Sequence, residues 1–139
     1  MLTVYLAGPV RGDGGEWRDR VPDLDGVRFM HPGAFIAGPD PELHIDLYCP
    51  ADRLAVRACD VLLAYLPVRA GGHGTAVEIG MALALGKEVL PVCPTPEARY
   101  QWRFVVGCVP HAYDSIEKAI AVLRYAAAQV NGSARCSAE

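Results

Sequence analysis

The 139-residue sequence predicts a single α/β domain built on a doubly wound parallel sheet. Short apolar runs rich in β-formers recur along the chain, segments of helical character separate them, and two of the runs end in glycine-rich loops. Strands that alternate with helices are typical of βαβ units and a parallel sheet. The length suits one hydrophobic core, so we expect one domain over residues 1–130 and a flexible polar tail over residues 131–139.

The first half of the chain predicts two strands and a long connection. The first strand covers residues 2–7 and ends at a Gly-Pro pair. A glycine-rich loop and a short helix that ends before Pro22 follow, and the second strand covers residues 27–30. The segment 31–50 is rich in proline and glycine, and a connection of this length within one domain is often a binding loop.

The second half predicts alternating helices and strands. A helix with Pro50 in its first turn runs to Cys59 and leads into a buried third strand over residues 60–66. A Thr-x-x-Glu pattern at Thr75 predicts a capping box and a helix that ends near Gly86. The remaining elements are a fourth strand at 88–92, a short helix at 99–104, a fifth strand within 105–113 and a last helix from a cap at Asp114 to about Gln129. This order gives a flavodoxin-like or Rossmann-like sheet of about five strands.

Composition and charge indicate which kinds of molecule the protein is expected to bind. The net charge of -3 gives no electrostatic footprint for a nucleic acid polymer or an anionic membrane. No apolar run is long enough to cross a membrane and the first residues lack a secretion signal, so we expect a cytoplasmic protein. Five cysteines without CxxC pairs and four scattered histidines give no metal-ligand spacing. We therefore expect a small-molecule partner, no metal and no cofactor.

Two carboxylates are predicted to meet at the carboxyl edge of the sheet, where open α/β sheets bind ligands. Glu78 is expected in the first turn of the helix after the third strand, and Asp52 in the first turn of the helix before it. Each residue also has a simpler interpretation, because Glu78 completes a capping box and Asp52 is a favourable charge at a helix N-terminus. Gly72 and Gly74 let a ligand approach the backbone closely, which favours a binding site.

The loop after the first strand is a second candidate binding segment. Its backbone N–H groups and the guanidinium of Arg11 are suited to a sugar or a phosphate, although a solvated turn is the alternative. Phe35, His44 and Tyr48 are candidates for base stacking or specificity in the long connection. For each of these three, packing of the loop onto the body of the domain is the simpler interpretation.

Taken together, these residues resemble the nucleoside 2-deoxyribosyltransferase family. The resemblance rests on Val4-Tyr-Leu-Ala-Gly-Pro9, on Asp52 eight residues before Asp60, and on Gly74-Thr-Ala-Val-Glu-Ile-Gly-Met-Ala82 followed by Leu85-Gly-Lys87. The blocks cover residues 2–92 discontinuously. The superfamily also includes 2'-deoxynucleoside 5'-phosphate N-hydrolases and CMP N-glycosidases.

The resemblance implies cleavage of an N-glycosidic bond. Glu78 matches the family nucleophile, which attacks C1' of the sugar and forms a glycosyl-enzyme ester. Asp52 matches the carboxylate that contacts the base and assists proton transfer, and Tyr5 matches the aromatic residue that positions the nucleophile. Two carboxylates with separate roles suit a retaining glycosyl transfer. The expected substrate-binding residues are Gly8, Pro9, Arg11, Gly12, Gly72, His73, Gly74 and Thr75.

The acceptor stays open between a nucleobase and water. Gly72 lies six residues before Glu78, where the transferases carry Asp and the nucleotide hydrolases tend to carry Ser. Arg11 and Arg69 favour a 5'-phosphate substrate, whereas the Gly-Thr-Ala-Val-Glu-Ile-Gly block favours the transferases. We expect transfer of a 2-deoxyribosyl group from a nucleoside to a free nucleobase, with hydrolysis of a nucleoside 5'-monophosphate as the alternative and a non-catalytic nucleotide-binding module as a further one.

Resemblance to known families also suggests a third candidate activity and an oligomeric state. Gly71 to Glu78 also resembles the GGxGTxxE motif of the cytokinin-activating phosphoribohydrolases, which ranks third because the sequence after Glu78 differs from that family. The deoxyribosyltransferase resemblance implies a homo-oligomer in which a neighbouring subunit completes the site. Trp102 and Arg103 are the candidates for that contribution.

Overall fold

The structure is a computed structural model that describes residues 1–10, 15–33 and 45–136. The strands are β1 (Leu2–Ala7), β2 (Val27–Met30), β3 (Val61–Tyr65) and β4 (Glu88–Val92). The helices are a 3₁₀ helix (Gly15–Arg20), α1 (Ile45–Ala58), α2 (His73–Ala84), α3 (Pro96–Gln101), α4 (Arg103–Cys108) and α5 (Ile116–Cys136).

The strands form one parallel sheet in the order β2-β1-β3-β4. Val4 lies opposite Val61, and Val61 lies opposite Glu88, so the register is continuous across the three strands β1, β3 and β4. The chain moves outward from β1 to β2 and then returns to the other side of β1 for β3. This reversal leaves a crevice at the carboxyl ends of β1 and β3, which is the usual ligand position in doubly wound sheets. The predicted fold class is confirmed.

Successive side chains of β1 point to opposite faces of the sheet, so the buried residues form two clusters, one on each face. Leu6 belongs to a cluster with Trp17, Leu63 and Leu123, which lies between the sheet and α5. Tyr5 belongs to the opposite cluster, whose members include Val56 of α1 and Ile79 of α2. The side chain of Tyr5 therefore points toward the two helices that carry the predicted carboxylates.

The fifth strand predicted within residues 105–113 is wrong. Arg103–Cys108 is helical, and Val106 N–H donates to the Trp102 carbonyl at 3.0 Å. Tyr113 forms a single parallel bridge with Val92, through hydrogen bonds of 2.8 Å to the carbonyl of Pro91 and from the N–H of Cys93. In the described part of the chain, pairing on this side of β4 is confined to that bridge. Over the described ranges the sheet has four strands.

Both helices that carry the predicted carboxylates begin earlier than predicted. Helix α1 begins at Ile45, so Pro50 lies inside it and Asp52 is beyond the first turn. Helix α2 begins at His73 with Gly72 at its N-cap, and its first turn is closed by a hydrogen bond of 3.0 Å from Ala76 N–H to the Gly72 carbonyl. Thr75 is therefore a helical residue and not a cap, and Glu78 lies in the second turn. The predicted capping box is wrong.

The last helix also differs from its prediction. Ser115 Oγ accepts the Lys118 N–H at 3.3 Å, while Asp114, the predicted cap, pairs with Lys118 Nζ at 2.8 Å. The helix continues past Val130 to Cys136, into the segment predicted as a tail, and residues 137–139 lie outside the described part of the chain. None of the helices in the described ranges has the length and apolar character needed to span a membrane.

The C-terminus of α2 provides a test of backbone conformation. Gly86 has φ of 70°, its N–H donates to Leu83, and Lys87 N–H donates to Ala82, which is the Schellman arrangement. We expect Gly86→Ala to lower the free energy of unfolding by about 1 kcal/mol, because an L side chain is strained at this φ. Gly80 is the matched control, since an added Cβ there meets no atom within 4 Å.

Gly80→Ala should raise the free energy of unfolding by roughly 0.5–1 kcal/mol, because alanine is the better helix former. Urea unfolding followed by circular dichroism measures both changes. Shifts of the same sign in the two variants would contradict the assigned backbone conformations.

Candidate active site

A cavity of about 600 Å³ opens at the carboxyl edge of the sheet. It brings together Glu78 from α2 and Asp52 from α1, two residues 26 positions apart in the chain. The predicted substrate-binding residues on its walls are Gly8, Pro9, Gly72, His73, Gly74 and Thr75. The predicted residues Arg11 and Gly12, and the candidates Phe35 and His44, lie outside the described residues. The cavity has the size of a typical small-molecule site.

Glu78 is partly buried, and its environment favours the protonated form. Burial raises the pKa of Glu78 to about 7, and the nearby charge of Asp52 acts in the same direction, while Tyr5 and Arg18 oppose the rise. Oxygen Oε2 is buried and has no hydrogen-bond partner among the described residues. A carboxyl group with this pKa exists in both protonation states near neutral pH, which is a property common in catalytic carboxylates.

Asp52 is held by the backbone that follows β2. The Gly33 N–H donates to Asp52 Oδ1 at 2.6 Å. Burial raises the pKa of Asp52, and this hydrogen bond partly offsets the rise. Helix α1 places Tyr48 one turn before Asp52 on the cavity wall. An added Cβ at Gly33 would lie 2.1 Å from Tyr48 Cβ, so only glycine brings its N–H this close to the carboxylate.

Tyr5 lies beneath the cavity and is fully buried. The pKa of Tyr5 is raised by burial first and then by the carboxylate of Glu78, so the phenol keeps its proton. The two side chains are close enough for each to shift the pKa of the other, yet neither the Tyr5 hydroxyl nor Glu78 Oε2 completes a well-aligned hydrogen bond within the described ranges. The phenol is thus a donor available to the Glu78 carboxylate.

Gln101 at the end of α3 and the following residue Trp102 hold the segment between β3 and α2 in place. The side chain of Gln101 accepts the Arg69 N–H at 3.0 Å and donates to the Arg69 carbonyl at 2.8 Å. Trp102 Nε1 donates to the Pro67 carbonyl at 3.1 Å. The Trp102 ring covers Gly72, where an added Cβ would lie 2.7 Å from the indole. Trp102 therefore supports the site of its own chain, and Arg103 lies over the Tyr100 ring at 4.4 Å.

Several residues of this region could not be identified from the sequence. Arg18 is 6% exposed and affects the pKa of Glu78 and of Tyr5, but it occurs in a short charged segment that reads as solvated surface. The neighbouring Trp17 is the signal that could have indicated burial. Other lining residues that the sequence did not single out are Val10, Pro32, Cys49, Arg53, Val77 and Met81. Within the described ranges no group of three or more His, Cys, Asp or Glu residues is arranged to hold a metal ion.

The parallel sheet and the two carboxylates at its switch point define an α/β protein with a small-molecule cavity. A model of the nucleoside 2-deoxyribosyltransferase family matches residues 34–122. The chain belongs to this family, which relates it to enzymes that act on nucleosides or nucleotides. A comparison with curated proteins finds no match.

Solved structures support the same fold. A 2-deoxyribosyltransferase from Leishmania mexicana is 24% identical with a TM-score of 0.67, covering 90% of this chain and 98% of that one. A 2-deoxyribosyltransferase from Bacillus psychrosaccharolyticus is 18% identical with a TM-score of 0.69, over 85% and 90%. A CMP N-glycosidase from Clostridium botulinum is 22% identical with a TM-score of 0.52, over 87% and 96%.

The raised pKa of Glu78 predicts a dependence of stability on pH. The folded state holds this proton more tightly than the unfolded state, so the wild-type protein loses stability as the pH rises from 4.5 to about 7. Glu78→Gln lacks this loss. We expect the variant to be more stable than the wild type at pH 8 by roughly 1–3 kcal/mol, and the difference to shrink below pH 4.5.

Urea unfolding at several pH values measures this difference. Glu88→Gln removes an exposed carboxylate and is the matched control. A difference between Glu78→Gln and the wild type that stays constant from pH 4 to pH 8 would contradict the raised pKa.

Proposed function

We propose that the protein cleaves the N-glycosidic bond of a 2-deoxynucleoside through a covalent glycosyl-Glu78 intermediate and transfers the 2-deoxyribosyl group to another nucleobase. The observation that carries this proposal is the convergence of Glu78 and Asp52 on one cavity, with the Tyr5 phenol beneath Glu78. Membership of the nucleoside 2-deoxyribosyltransferase family supports it.

The first half of the reaction uses the two carboxyl groups in different protonation states. Ionised Glu78 attacks C1' of the sugar, the bond between C1' and the base nitrogen breaks, and an ester forms. Burial raises the pKa of both carboxyl groups, and the proton that this coupled pair shares lies on Asp52 when Glu78 is ionised. Asp52 donates this proton to the departing base. In the second half the nitrogen of an incoming base attacks C1', the ester bond breaks to regenerate the Glu78 carboxylate, and Asp52 accepts the proton from the incoming base.

The surrounding residues support these roles. The hydroxyl of Tyr5 stays protonated and is available to donate to the carboxylate of Glu78, and this hydrogen bond would orient the nucleophile. Gly33 N–H holds one oxygen of Asp52 and leaves the other for the base. Gly74 lies on the cavity wall, and an added Cβ there would meet no atom within 4 Å, so the sugar can approach the backbone at this position.

Arg69 favours one alternative, hydrolysis of a nucleoside 5'-monophosphate. It lies on the cavity wall, and the ion pairs found in the described part of the chain join other residues, Arg20 with Glu117 and Lys118 with Asp114. A guanidinium without an acidic partner is suited to a phosphate group. In this alternative, water attacks the same glycosyl-Glu78 ester and the products are the free base and a sugar phosphate.

We also propose that the protein is a cytoplasmic homo-oligomer. Several large apolar side chains on the helices are exposed, namely Leu47 and Leu54 on α1, Val77 on α2 and Phe104 on α4. Exposed apolar surface of this kind is typical of protein interfaces. Light scattering coupled to gel filtration measures the mass in solution, and a monomer at micromolar concentrations would contradict this assembly.

A chromatographic assay distinguishes the candidate functions. The purified protein is incubated with deoxynucleosides and with nucleoside 5'-monophosphates, each with and without an added free base. A new nucleoside that forms only with the added base supports transfer. Release of base from a monophosphate without exchange supports the hydrolase, and no reaction across the panel would favour a non-catalytic nucleotide-binding module.

Substitution of the carboxylates tests the assigned roles. Glu78→Ala should lower kcat by roughly 10³-fold or more, because no nucleophile remains. We expect mass spectrometry to detect a covalent adduct in the wild type and none in this variant. Asp52→Asn should lower kcat by about 10²–10⁴-fold with natural bases. The loss from Asp52→Asn should be much smaller for a donor whose leaving group departs as a stable anion.

The matched control is Glu88→Gln, which removes an exposed carboxylate from β4, away from the cavity. It should keep wild-type activity. Turnover that survives in Glu78→Ala at a rate near that of the wild type would falsify the proposed mechanism.

A further inference from the structure

Arg18 is a buried cation at the carboxyl edge of the sheet. It belongs to the 3₁₀ helix and is 6% exposed. Its guanidinium donates to the carbonyls of Pro9, Leu6 and Gly8, with the Leu6 hydrogen bond at 3.0 Å. These carbonyls belong to the end of β1 and to the segment after it, and Gly8 and Pro9 are cavity walls. One side chain therefore fastens the end of the strand and one wall of the cavity.

The guanidinium is fixed by packing as well as by hydrogen bonds. It lies over the Trp17 ring at 4.5 Å, and Trp17 Nε1 donates to the Pro9 carbonyl at 3.1 Å. Trp17 in turn stacks on Tyr65 of β3 with ring centroids 5.3 Å apart. Burial lowers the pKa of Arg18 to about 10, so the group still carries its positive charge at neutral pH. Burying a charge is costly, and carbonyl contacts and cation–π contact offset part of that cost.

The positive charge of Arg18 affects two groups at the cavity, Glu78 and Tyr5. Arg18 lowers the pKa of both Glu78 and Tyr5, against the effect of their burial. The groups that act on Glu78 come from three elements: Tyr5 from β1, Asp52 from α1 and Arg18 from the 3₁₀ helix. Tyr5 is a neutral donor, Asp52 contributes a negative charge and Arg18 a positive one. Arg53, Arg69 and His73 also line the cavity, but they are not among the groups that shift the pKa of Glu78.

We propose that Arg18 is a positioning residue for the glycosyl transfer: it fastens the wall formed by Gly8 and Pro9, and its buried positive charge favours the carboxylate form of the Glu78 nucleophile over the neutral acid. This inference rests on the proposed function of Glu78. It assigns Arg18 no contact with the substrate.

Three variants separate the charge from the packing. Arg18→Met removes the charge and keeps most of the volume, whereas Arg18→Lys keeps a charge but loses the planar set of donors. Arg20→Met is the matched control, because Arg20 lies two residues away on the same 3₁₀ helix, is exposed and pairs with Glu117 at 3.0 Å. If Arg18→Met does not fold, Arg18→Gln replaces it and retains side-chain N–H donors for the carbonyls.

The first readout is the pH profile of kcat/KM. In Arg18→Met the acidic limb should move to higher pH, so the loss of rate should be larger on the acidic side than at pH 9. Arg18→Lys and Arg20→Met should keep the wild-type limb. An equal loss of rate at every pH in Arg18→Met, with the limb unmoved, would show that Arg18 only fastens the wall and would overturn its assigned effect on Glu78.

The second readout does not need turnover. Carbon-13 NMR of labelled glutamate follows the titration of the Glu78 carboxyl group in the resting protein, with Glu78→Gln to assign its signal. The midpoint should rise in Arg18→Met and stay unchanged in Arg20→Met. An unchanged midpoint in folded Arg18→Met overturns the Arg18 inference, whereas a wild-type protein without glycosyl activity overturns the proposed function alone.

Discussion

The position of β1 between β2 and β3 is the constraint on which the rest of the site depends. A central parallel strand is covered on both faces, so its alternate side chains must enter different cores. In β1 this sends Leu6 toward α5 and Tyr5 toward α1 and α2. The same strand ends at the crevice where the chain reverses direction across the sheet. The phenol of Tyr5 and the carboxylates of Asp52 and Glu78 therefore come together at this crevice, although they belong to three separate elements of the chain.

The electrostatics of the cavity are a balance of opposing effects on Glu78. Burial and the charge of Asp52 favour the neutral acid, while the Tyr5 hydroxyl and the Arg18 guanidinium favour the carboxylate. A fully solvated carboxylate would be a weak nucleophile shielded by water, and a fully buried one would stay protonated. The arrangement leaves Glu78 near the middle of its titration at neutral pH. The fold thus sets the reactivity of the group through neighbours that come from distant parts of the chain.

Much of the fold and of the candidate site could be predicted from sequence because the signals are local. An apolar run, a glycine loop and a helical segment placed Glu78 at the right edge of the sheet, and β1 to β4 were found near their observed positions. The exact start of α2 could not be predicted, since Thr75 mimics a cap and only the left-handed conformation of Gly72 shows where the helix begins.

The start of α1 was mispredicted for a similar reason. Proline is common in the first turn of a helix, but Pro50 lies inside α1. The role of Arg18 could not be predicted, because its burial depends on contacts with Leu6 of β1 and with the Trp17 ring that form only in the folded chain.

The contact between Trp102 and Gly72 also limits how the pocket can change over evolution. A side chain at position 72 would collide with the indole, and the φ of 91° at this glycine adds strain for any other residue. A single substitution that introduces a polar group here is therefore disfavoured, and a compensating change at Trp102 has to accompany it. The two positions form an epistatic pair, so a lineage or an engineer that seeks a different substrate preference at this wall must alter both together.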